Sequence, residues 1–84
     1  MFMTIAEIKQ RISEEIQSSA LKQSEIARKL DIKQPTVYEY VKMKSLPALD
    51  TFAKLCVLLD LDANYLLGIT DYSGKKKESE SDKS

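Results

Sequence analysis

Isoleucines at positions 5, 8, 12 and 16 recur at spacings of three and four, so the stretch from Thr4 to Ser18 predicts a helix with one apolar face. Thr4 followed three residues later by Glu7 marks its start as a capping box, in which each side chain accepts from the other residue's backbone N–H. After "SSA" the pattern resumes in "KQSEIARKL", where Ile26, Ala27 and Leu30 fall together. It stops at Asp31, a residue type that tolerates left-handed backbone. Next comes "IKQPTVYEYVK", with Val37, Tyr40 and Val41 expected inward. Pro47 separates it from "ALDTFAKLCVLLDL", whose Leu49, Phe52, Leu55, Cys56 and Leu59 form another apolar stripe. "DANYLLG" reads as a short last helix, capped by Asp62 and stopped by Gly68.

No strand alternation occurs, so the expected fold class is all-α, five helices in one domain over residues 1–70. The remaining segment, 71–84, ends in "SGKKKESESDKS", which has no apolar residue to offset the entropy of ordering, and is read as a disordered charged tail.

Composition narrows the function. The chain's 84 residues suffice for a single core, and 13 basic residues balance 13 acidic ones, so the strong positive charge of many nucleic-acid binders is missing. The distribution is uneven, however. Between Ala20 and Ser45 six basic residues face three acidic ones, which concentrates positive charge in the middle third. There is no histidine, and the one cysteine, Cys56, lies between Leu55 and Val57. A metal site or a Cys/His nucleophile has almost nothing to draw on, Cys56 reads as a small buried hydrophobe, and no acid, base and nucleophile converge as an enzyme requires. No catalytic residue, metal or cofactor is expected. The N-terminus turns polar before a signal-peptide core forms, and no apolar run approaches the length of a membrane span, so the expectation is a soluble, cytoplasmic protein.

The functional signal lies in two short helices, about 22–30 and 34–42, joined by too few residues to pack side by side; that is helix-turn-helix geometry. The outward side of the second carries Gln34, Pro35, Tyr38, Glu39 and Lys42. Glutamine pairs bidentately with adenine, lysine donates to guanine, glutamate accepts from the cytosine amino group, and proline offers an apolar surface to a thymine methyl. Because the residue before a proline avoids helical dihedrals, Gln34 is also a candidate cap, with Pro35 at the first helical position.

"ALKQSEIARKLDIKQPTVYEYVKMKSLPALDTFAKLCVLLDLDANYLLG", residues 20–68, resembles the Cro and lambda-repressor-like (XRE) helix-turn-helix family of phage and bacterial regulators. Its pattern is roughly G-L-T-Q-x-x-L-A-x-x-L-G-V-S-x-x-x-I-S-x-x-E-x-G-x-x-x-P, followed by a leucine-rich helix. The resemblance implies a five-helix DNA-binding domain. Lys33, Gln34, Pro35, Tyr38 and Glu39 would face the bases, and Lys22, Gln23, Lys42, Lys44 and Ser45 the phosphates. The implied function is a transcriptional regulator, a repressor, that binds double-stranded DNA as a homodimer on a roughly palindromic operator. Val57, Leu58, Leu61 and Leu66 form an apolar patch suited to dimerisation. Two other readings of the same motif stay open, an antitoxin with a protein partner and an interaction module that has lost DNA binding.

Four departures from the pattern matter. Lys22, Lys33 and Ala48 stand where Ser or Thr usually cap helices, each at a cost of about 0.5–2 kcal/mol, and the two lysines are read as exchanging stability for phosphate attraction. Ile16 and Val41 replace a family arginine and glutamate that pair across the core, and are expected to touch. Asp31 replaces a turn glycine. Glu39 brings a carboxylate to the reading face, either to read cytosine or to accept a hydrogen bond from Tyr38 or Lys42.

Overall fold

Each helix starts where a local signal permits it. In the computed structural model, which describes residues 3–69, α1 spans Ile5–Ser18, α2 Gln23–Leu30, α3 Gln34–Val41, α4 Leu49–Leu59 and α5 Ala63–Leu66. Among the described residues the fold is all-helical; the expected tail at 71–84 lies outside them. The Thr4–Glu7 capping box is formed, with both hydrogen bonds present at the head of α1. Asp62 caps α5 by accepting from the Asn64 N–H at 3.0 Å.

The missing caps are partly replaced. A lysine ammonium accepts nothing, yet at α2 the Glu25 carboxylate takes the Lys22 N–H at 3.0 Å, the reciprocal half of a capping box. At α4, where Ala48 contributes no side chain, the Asp50 carboxylate accepts from the Thr51 N–H at 2.9 Å. At α3 Lys33 is the N-cap and its side chain makes no cap bond. The expectation that Gln34 caps this helix is corrected: Gln34 is its first residue and Pro35 its second. The first turn closes tightly, from the Thr36 N–H to the Lys33 carbonyl at 3.0 Å. The absent proline N–H is one that a first turn leaves without an intrahelical partner anyway.

The ends of α2 to α5 follow one rule. After each, a residue with positive φ, namely Asp31 (59°), Met43 (63°), Asp60 (56°) and Gly68 (79°), reverses the backbone. The next N–H then reaches back to close the last turn: Ile32 to Ala27, Lys44 to Glu39, Leu61 to Cys56 and Ile69 to Asn64. Asp31 thus adopts the left-handed backbone expected of it. Met43 does so with no glycine, Asn or Asp chemistry to ease it, although it occupies the third glycine position of the family pattern. Met43→Gly is therefore expected to stabilise the domain by about 1 kcal/mol, which raises the melting temperature by roughly 4–8 °C for a domain of this size. A thermal melt checks it, and Asp31→Gly, at a better-tolerated residue, should give less.

The core draws one fully buried side chain from each of four helices, Ile26 of α2, Val37 of α3, Leu55 of α4 and Leu66 of α5, with Ile12 and Ile16 of α1 beside them. α3 packs against both α1 and α2, α4 against α2, and α5 against α1. Two expectations of the apolar stripes are corrected. Ile5 and Leu49 are 61% and 83% exposed, each as the first residue of its helix, while Ile8 and Phe52 one turn on meet the core. Leu66, assigned to a dimerisation patch, is 1% exposed and belongs to the monomer's own core. Ile16 is buried and Val41 packs half-buried against the same cluster, so neither faces solvent. Where the family places an ion pair, a different polar tie joins the same helices. The buried Ser13 hydroxyl donates to the Val41 carbonyl at 2.6 Å and accepts from the Gln17 amide at 2.9 Å.

Candidate nucleic-acid interface

Burying Val37 and Tyr40 on one side of α3 turns its opposite side outward. Gln34, Pro35, Tyr38 and Glu39 are all exposed, and Lys33 sits exposed at the helix head. The five residues expected to face the bases therefore share one surface. Gln23, at the first position of α2, joins them: with Gln34, Pro35 and Tyr38 it lines a shallow depression where the two helices meet. Gln23 is half-buried there, held by helix packing rather than left free in solvent.

Exposed cations flank the two helices in the chain. Lys22 stands before α2, Lys42 closes α3 and Lys44 follows it, all three exposed, while Ser45 is half-buried in the loop to α4. The left-handed Met43 between Lys42 and Lys44 sets the path of this loop. Sequence reasoning passes over Met43, although the family pattern places a glycine there. The start of α3 adds the partial positive charge of its unpaired N–H groups to that of Lys33.

Lys42 is engaged with Tyr38. Its ammonium lies 5.6 Å from the centre of the Tyr38 ring, a cation–π contact one helical turn along α3. Tyr38 is thereby steadied in a half-exposed position, and neither Tyr38 nor Lys42 gives a hydrogen bond to the Glu39 carboxylate. Tyr40, on the inner side, has its phenol pushed above the ordinary value by burial first and by the carboxylates of Glu39 and Asp50 second. It stays neutral and adds no charge to the surface.

The expected dimerisation residues divide. Val57 is 84% exposed, Leu58 and Leu61 are half-buried, and Leu66 is interior. Leu58 lies between two shallow depressions, the first mostly apolar and the second lined by serines as well as leucines. One is rimmed by Lys29 and Lys54 and includes Val57; the other includes Leu61 and has Glu15 at its edge. Cys56 is half-buried, and its thiol is pushed up by burial and then by Asp62, as befits a packing residue. Among the described residues no group of His, Cys, Asp and Glu is placed to hold a metal, and no helix is long and apolar enough to cross a membrane.

A family model described as helix-turn-helix matches residues 12–66. The match runs from the core residue Ile12 to the core residue Leu66 and takes in α2, α3 and the surface they build. No curated protein and no solved structure matches the chain at a significant level.

Proposed function

The chain belongs to the Cro and lambda-repressor-like helix-turn-helix family of DNA-binding transcription regulators, and from that premise we propose that it is a repressor. It reads the major groove with α3, as a homodimer on a roughly palindromic operator. The observation that carries this reading is the exposed face of α3. Gln34 and Pro35 open the helix, the end that reaches base edges in this motif, and Tyr38 and Glu39 follow them one turn on, all four exposed. In this reading Lys33 and these four residues touch bases, Lys33 at the helix head also neutralising a phosphate, while Lys22, Gln23, Lys42, Lys44 and Ser45 hold the phosphates.

The dimer has a physical motive. One module this small, with zero formal net charge, makes few phosphate contacts, whereas two modules whose recognition helices lie about 34 Å apart, one turn of DNA, multiply affinity and specificity. Val57 with Leu58 and Leu61 is the surface offered for the pairing.

Selection of binding sites from random duplex DNA at two salt concentrations tests the whole. A palindromic consensus is expected, and recovery of no consensus would sink the reading. Within the selected site Gln34→Ala should cost about 1–3 kcal/mol at one base pair per half-site and little elsewhere. An equal loss across all positions would mean that Gln34 is a phosphate contact instead.

A further inference from the structure

The depression where α2 meets α3 is built from two rings and two carboxamides: Pro35 and Tyr38 supply apolar surface, Gln23 and Gln34 hydrogen-bonding groups. It suits a small apolar group carried on a polar edge. In the DNA major groove one base feature has that character, the methyl group at C5 of a pyrimidine. The cation–π contact with Lys42 steadies the Tyr38 wall. Glu39 lies four residues after Pro35, hence one turn further along the same strip of α3, and its carboxylate receives no hydrogen bond among the described residues. On cytosine the amino group at C4 neighbours C5, so an apolar wall and a carboxylate acceptor one turn apart address both groups of one base. Thymine presents an acceptor oxygen at that place, which a carboxylate opposes.

We propose that this depression receives the C5-methyl group of an operator pyrimidine and that Glu39 selects its source, favouring 5-methylcytosine over thymine. Operator affinity then depends on cytosine methylation at that position. The inference rests on the DNA-binding reading above.

The test uses the full chain and the duplex recovered by selection. Each pyrimidine is replaced in turn by cytosine, 5-methylcytosine, thymine or uracil, and binding is followed by fluorescence anisotropy. At one position per half-site the methyl group is expected to raise affinity about three- to fivefold, in both the cytosine and the uracil backgrounds, the increment of one buried methyl-sized group. Tyr38→Ala and Pro35→Ala, both at exposed positions, should abolish that increment. Glu39→Gln should keep it and lose the preference for 5-methylcytosine over thymine. Sequence-specific binding that ignores the methyl group at every position, or an increment that persists in Tyr38→Ala, overturns this inference and leaves DNA binding intact. Failure to select any duplex overturns both.

Discussion

Operator affinity is expected to fall by about four orders of magnitude as salt rises from roughly 50 to 200 mM. Lys22, Lys33, Lys42 and Lys44 are all exposed; in the proposed dimer they neutralise about eight phosphates, and each releases close to one condensed counterion, for a slope near −7 in log affinity against log salt. The chain's formal net charge is zero, so long-range attraction by the whole molecule adds little, and the slope reports the local cluster. Lys33→Ser sharpens the measurement. It removes one cation per protomer, which should flatten the slope by about 2 for the dimer, and it restores a hydroxyl at an N-cap that makes no side-chain bond, worth about 0.5–2 kcal/mol. The variant is therefore expected to bind less tightly at low salt and to melt higher. A slope near zero would count against phosphate binding by this face, and an unchanged slope in Lys33→Ser would remove Lys33 from it.

Much of this surface was legible because it follows from a period. Once Val37 and Tyr40 are inward, the helical repeat turns Pro35, Tyr38 and Glu39 out, while Gln34, three residues before Val37, is exposed as the first residue of the helix. Helix starts were legible where the signal is local, as at Thr4 and Asp62. What periodicity misplaced are the ends of stripes: Ile5 and Leu49 fit the spacing, yet each is the first residue of its helix and stays exposed, while Ile8 and Phe52, one turn on, meet the core. Leu66 shows the opposite error. A four-residue helix is too short to define an apolar face, and its burial depends on how α5 docks on α1. That docking rests on Arg11, whose guanidinium stacks 4.0 Å from the centre of the Tyr65 ring and donates to the Tyr65 carbonyl. No local pattern announces a contact between residues so far apart in the chain. The tie between Ser13 and the Val41 carbonyl was hidden for another reason: its acceptor is backbone, so residue type at position 41 says nothing about it.

Val57→Lys is expected to convert the dimer to a monomer and to lower operator affinity by about two to four orders of magnitude, the gain that tethering one half-site reader to another provides. Val57 is 84% exposed, and lysine is the better helix former of the two, so the monomer fold should survive with an unchanged or higher melting temperature. The choice of lysine separates the causes of any loss. It sits beside Lys29 and Lys54, which rim the same depression, so a second copy brings like charges together and the interface is opposed without an ion pair to offset it. The substitution also raises the net charge, which by itself strengthens attraction to DNA. A fall in affinity therefore cannot come from lost electrostatics and must come from lost pairing. Sedimentation should show the monomer, and the salt slope should halve, since each bound unit now covers one half-site. A variant that still sediments as a dimer would move the interface away from Val57. A monomer that binds as tightly as the parent would mean that α3 reads its site without a partner.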